Sequence, residues 1–79
     1  NFSEADLSGV SFFDCDLRGA EMYGAKLKNT DLRGCQLDNL QIRPENLQGA
    51  IIDSTQLISI SWSLIKPLGL IVKDTEEER

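Results

Sequence analysis

The sequence predicts a solenoid, a fold in which short repeats stack into coils, and the spacing of three residue classes leads to this prediction. A large apolar residue stands at every fifth position from Phe2 to Trp62. Small residues such as Ala5 and Cys15 stand two positions before most of them, and Gly, Asn, Asp or Ser mostly stand two positions after. A period of five matches neither the helical period of roughly 3.6 nor the strand period of about 2, so it indicates a repeat.

Each repeat needs a turn, which explains the glycines, because glycine adopts positive φ without steric cost. The central apolar residues are then expected to point inward and form the core ladder, so that the interior holds no ligand cavity. This predicted ladder comprises Leu7, Phe12, Leu17, Met22, Leu27, Leu32, Leu37, Ile42, Leu47 and Ile52.

Three of these units carry a family resemblance. Residues 5–9 (ADLSG), 15–19 (CDLRG) and 35–39 (CQLDN) resemble the pentapeptide-repeat family, whose pattern is A(D/N)LxG. The resemblance implies an all-β solenoid, a right-handed quadrilateral β-helix with four pentapeptides in each coil, in which residues one coil apart stack. It places the coils at residues 1–53.

The C-terminal part, residues 54–73, loses the turn residues, and this favours a capping helix. Ser54 is its expected N-cap, and Pro67 with Gly69 is expected to end it. A further coil over residues 54–62 stays open as the alternative, because the apolar period continues to Trp62. Residues 70–72 are predicted to form a short strand, and residues 74–79 a disordered, charged tail.

The cap holds more apolar residues than one narrow coil can bury, so we expect a homodimer through this segment. The expected interface residues are Leu57, Trp62, Leu64, Ile65, Leu68, Leu70 and Val72.

The sequence argues against an enzyme. It contains no His, no nucleophile elbow and no phosphate-binding loop. Cys15 and Cys35 are expected to be small buried thiols on adjacent coils rather than a disulfide, and two cysteines without His make a poor zinc site. No catalytic residue, metal or cofactor is therefore expected.

The formal charge of −5 argues against direct binding to nucleic acid or to an anionic membrane. No apolar run approaches the roughly 20 residues of a membrane span, and no signal-peptide pattern is seen, so a cytoplasmic protein is expected. Because the repeat is already running at Asn1, we expect an N-terminal part of the parent protein to be missing.

Stacking of residues one coil apart predicts outward ion pairs between Arg18 and Asp38 and between Arg33 and Asp53. Glu45 stands where a small inward residue is expected. With Pro44 before it, a local bulge is predicted that lets its carboxylate reach solvent or Arg43.

The C-terminal part resembles the end of the quinolone-resistance (Qnr-type) pentapeptide-repeat proteins. The resemblance lies in the order of Leu47-Gln48-Gly49, an apolar helix and then Leu68-Gly69-Leu70-Ile71-Val72. That resemblance implies a DNA-mimicking acidic rod that binds type II topoisomerases, DNA gyrase or topoisomerase IV, and inhibits them or protects them from quinolones. The chain departs from those proteins in two ways. No loop interrupts its coils, and its helix is longer. A generic protein-binding scaffold remains the alternative. The carboxylates that would mimic DNA phosphates are Asp14, Asp16, Asp31 and Asp53.

Overall fold

The computed structural model describes residues 1–75. Residues twenty apart pair in parallel, which stacks each coil on the next in one register. At a typical pairing, the Leu7 N–H donates to the Lys26 carbonyl and the Lys26 N–H donates to the Ala5 carbonyl, both at 2.9 Å. The paired residues are Asp6 with Lys26, Ser11 with Asp31, Asp16 with Gln36, Glu21 with Gln41, and Asp31 with Ile51.

A tight turn follows most central apolar residues. The N–H of Val10 donates to the Leu7 carbonyl at 3.0 Å, and the N–H of Thr30 donates to the Leu27 carbonyl at 2.9 Å. Gly49 shows why glycine stands at such corners. Its φ is +82°, and a Cβ there would lie 3.0 Å from the Lys28 Cα of the neighbouring coil.

The coils pair through isolated bridges of single residues. Within residues 1–75 no strand of several residues forms. Each straight stretch is short because a turn interrupts it within the same five-residue unit. The register of twenty agrees with the stacking that the family resemblance implies. The class of right-handed quadrilateral β-helix itself stays a prediction.

The core lies on the axis of the stack. The middle of the ladder is buried. Leu7 and Phe12 at one end, with Phe2 beside Phe12, and Leu47 and Ile52 at the other end are partly buried, because within residues 1–75 coils cover them on one side only. Buried hydrophobic residues are Leu17, Met22, Ala25, Leu27, Leu32, Cys35, Leu37, Leu40, Ile42 and Ile60.

Helix α1 spans Ser54–Ile65, so residues 54–62 do not form a further coil. The expectation that Ser54 is the N-cap is wrong. Asp53 is the N-cap, and its carboxylate accepts a hydrogen bond from the Gln56 N–H at 2.9 Å. A carboxylate in this place accepts from a free N–H of the first turn, and it also interacts favourably with the helix dipole.

Two 3₁₀ helices flank α1. Pro44–Leu47 forms the first and holds Glu45 exposed, as the expected bulge requires. Lys66–Leu68 forms the second and ends at Gly69, whose φ is +75°.

The C-terminal segment differs from its prediction. Residues 70–72 were expected as a strand, but they are irregular and exposed, and no bridge pairs them within residues 1–75. Of the predicted disordered tail, residues 76–79 lie outside the described part. No helix in residues 1–75 has both the length and the apolar character needed to cross a membrane.

Candidate interaction surfaces

Gln56 joins helix α1 to the last complete coil. Its side chain is 7% exposed, and its Nε2 donates to the carbonyls of Leu32 at 2.6 Å and Cys35 at 2.9 Å. Its Oε1 accepts from the Asp53 N–H at 2.9 Å. The side-chain amide is thus fully used inside the structure.

The contact with Cys35 continues the pattern of the coils. One coil earlier, the Cys15 carbonyl accepts from the backbone N–H of Gln36 at 3.0 Å. At Cys35 the side-chain amide of Gln56 takes the place of the N–H that another coil would supply. Helix α1 therefore closes this end of the stack by imitating the next coil at one position.

The two sides of α1 have different surroundings. Gln56, Ile60 and Leu64 recur at every fourth residue and pack toward the coils, with Ile60 3% exposed. Leu57 and Ile58 on the outer side are 55% and 77% exposed. Helix α1 is therefore apolar on both its covered and its uncovered side.

Exposed apolar residues continue beyond the helix. We call the exposed apolar residues of α1 and of the segment after it the C-terminal apolar surface. Among the residues predicted for a dimer interface, five belong to it, whereas Leu64 and Ile65 are only partly exposed. The C-terminal apolar surface comprises Leu57, Ile58, Trp62, Leu68, Leu70, Ile71 and Val72.

The predicted ion pairs between coils are wrong. Arg18 pairs with Asp16 through two hydrogen bonds of 2.9 and 2.7 Å, and Arg33 pairs with Asp31 through bonds of the same lengths. Each aspartate stands two residues before its arginine and also accepts that arginine's backbone N–H, which fixes the carboxylate beside the guanidinium. These contacts within one unit replace the predicted contacts of Arg18 with Asp38 and of Arg33 with Asp53 on the neighbouring coil.

Pairing changes the character of these two acids. Hydrogen bonds from the arginine side chain and backbone lower the pKa of Asp16 and of Asp31 to about 2. Both carboxylates are therefore charged at neutral pH, but each faces a cation within its own repeat unit.

The four predicted DNA-mimicking carboxylates are thus placed differently from one another. Asp16 and Asp31 are paired, and Asp53 caps helix α1. Asp14 is exposed at a coil corner with φ +52°, and it forms no ion pair in residues 1–75. The structure does not bring the four together into one acidic row.

The cysteines are free thiols, Cys35 buried and Cys15 partly buried. The Cys35 thiol donates to the Phe12 carbonyl at 3.3 Å, and burial raises its pKa. Within residues 1–75, no group of three or more His, Cys, Asp or Glu side chains could hold a metal ion.

Sequence reasoning missed Gln56. The signal was present as Asp53 followed three residues later by a glutamine, a spacing typical of a capping box. That pattern identifies Asp53 as the N-cap in place of Ser54. It does not reveal that the same amide also reaches the carbonyls of the last coil.

Comparison with known proteins gives a family for the coils. Residues 1–39 match the family model described as pentapeptide repeats, in eight copies. Searches of curated proteins and of solved structures returned no match. Residues 1–39 therefore carry pentapeptide repeats.

Proposed function

We propose that this chain is a non-enzymatic protein-binding scaffold whose C-terminal apolar surface joins two copies of the chain. Pentapeptide repeats generally serve as structural and interaction scaffolds, which supports the scaffold role. The observation that carries the choice of surface is the exposure of large apolar side chains, which reaches 79% at Leu68 and 77% at Ile71. Large apolar side chains left exposed in one segment of a chain indicate an interaction site.

A second copy is the proposed occupant because a two-fold dimer matches an apolar surface with itself. Within the proposed interface, Leu64 and Ile65 contribute their accessible edges beside the more exposed Leu57, Trp62, Leu68, Leu70 and Val72.

The dimer is tested by sedimentation equilibrium of the wild type and of a Leu70→Asp, Val72→Asp variant. The wild type is expected to be a dimer at micromolar concentration, and the variant a monomer, because dimerisation would bury its two new charges. A Phe13→Asp, Ser3→Asp variant controls for added charge, since both residues are exposed on the coils. Dimerisation of the Leu70 and Val72 variant at wild-type affinity would contradict this choice of surface.

A second candidate function is binding to a type II topoisomerase, DNA gyrase or topoisomerase IV, by mimicry of DNA. It is favoured by the formal charge of −5. Because Asp16 and Asp31 are paired with arginines and Asp53 caps helix α1, Asp14 is the strongest candidate of the four for a contact with a DNA-binding surface.

A supercoiling assay with DNA gyrase tests the second candidate. If mimicry operates, the chain inhibits supercoiling, and Asp14→Asn weakens the inhibition several-fold through loss of an unpaired charge. The matched control is Asp6→Asn, which removes the same charge on the face that carries Lys26 and Lys28 and is expected to change little. No inhibition by the wild type would eliminate mimicry and leave the scaffold function.

A further inference from the structure

An open groove of about 870 Å³ lies between the coils and the C-terminal end of helix α1. On the coil side it is lined by Tyr23, Arg43 and Pro44, and on the helix side by residues including Leu64, Lys66 and Leu68. We call it the C-terminal groove. Its lining combines apolar surface with two cations.

The charge of the groove is opposite to that of the whole chain. Arg43 and Lys66 line it, and no acidic residue of the described part does. The ion pairs found in residues 1–75 involve other arginines, so neither cation is neutralised by a carboxylate there. The Arg43 guanidinium carbon lies 5.6 Å from the centre of the Tyr23 ring, which holds this cation at the groove.

One segment of the chain has the complementary composition. Leu70, Ile71 and Val72 are apolar, and four acids follow within the next six residues. Of these acids, Asp74 lies in the described part and is exposed. The four acids are Asp74, Glu76, Glu77 and Glu78.

We propose that the C-terminal groove of one copy receives residues 70–78 of a second copy, with the apolar residues against Leu64 and Leu68 and the acids against Arg43 and Lys66. This proposal rests on the proposed homodimer and identifies the contact through which one copy recognises the other. Charge complementarity between groove and segment selects this occupant from other apolar peptides.

A second copy fits better than the same chain. Leu68 lines the groove, yet Leu70, Ile71 and Val72, which follow directly, are 54%, 77% and 64% exposed and so do not enter their own groove. In a reciprocal exchange each copy covers the other's exposed segment and keeps the observed course of its own chain. Such an exchange has the two-fold symmetry of a closed dimer.

Charge reversal tests the exchange, with the dimer dissociation constant measured by sedimentation equilibrium. An Arg43→Glu, Lys66→Glu variant is expected to raise this constant roughly tenfold or more, because two attractions per groove become repulsions. A second variant with Asp74, Glu76, Glu77 and Glu78 changed to Lys is expected to do the same. An equimolar mixture of the two variants should associate more tightly than either variant alone.

The control is Lys26→Glu, Lys28→Glu, which makes the same change in net charge on a different face of the coils. It is expected to leave the dissociation constant within about twofold of the wild type. Far-UV circular dichroism of each variant checks that it is folded. Equal dimerisation by all the variants would overturn the exchange and leave the homodimer standing, whereas a wild-type monomer at high micromolar concentration would overturn both.

Discussion

Replacing Gln56 with leucine is expected to lower the free energy of unfolding by about 2–4 kcal/mol, because the buried carbonyls at the end of the stack lose their donor. The Cys35 carbonyl then faces an apolar side chain in place of Nε2, and the Asp53 N–H loses its acceptor. Leucine is close to glutamine in volume, so the loss reports on polar contacts more than on packing. Urea unfolding followed by circular dichroism measures the change.

Two further substitutions separate the donor role from general damage. Gln56→Glu keeps an acceptor for the Asp53 N–H but cannot donate to Leu32 and Cys35 when ionised. It should therefore be destabilised at neutral pH and regain part of its stability on acidification, when the carboxyl carries a proton. Gln48→Leu, at an exposed amide on the coils, should change stability by less than about 0.5 kcal/mol. A Gln56→Leu variant as stable as the wild type would refute the role given to this amide.

The coils were the most predictable part of the chain because their pattern is local and repeated. Each unit places one apolar residue inward and one turn former at the corner. A single residue that departs from the pattern therefore does not change the predicted fold. Glu45 shows this. It breaks the pattern, yet the coil absorbs it in the Pro44–Leu47 turn and keeps Leu47 packed against the core.

The surface was less predictable because side-chain pairing depends on competing partners. Arg18 has Asp16 within its own unit and Asp38 on the neighbouring coil, and spacing alone does not rank them. The local pair prevails because Asp16 is already oriented by the Arg18 backbone N–H. For the same reason Asp16 and Asp31 are paired with arginines and are not free acidic groups.

The C-terminal end combined both situations. The change in composition after Asp53 predicted a cap, and the excess of apolar residues in residues 54–73 predicted a dimer interface. The strand predicted at residues 70–72 needs a neighbouring strand, which the described residues of one copy do not supply. A strand is a property of a pair of segments, so composition alone could not place it.

The second large effect is expected in hydrogen exchange, because residues 1–75 hold no coil that pairs with the outer edge of the first one. Asp6, Ser11 and Asp16 occupy the same place in their units as Lys26, Asp31 and Gln36 do one coil later. The later N–H groups donate to carbonyls of the first coil at 2.9, 2.9 and 3.0 Å. The earlier N–H groups donate to no other coil in residues 1–75. The later amides should therefore exchange roughly a hundredfold or more slowly than the earlier ones.

Amide exchange measured residue by residue by NMR tests the stacked-coil account most directly, since it detects the pairing on which the scaffold and its surfaces depend. Stacked coils predict slow exchange at Lys26, Asp31, Gln36, Gln41 and Ile51 and fast exchange at Asp6, Ser11 and Asp16. Equal rates in the two sets, or continuous protection along residues 20–40 as in a helix, would contradict it.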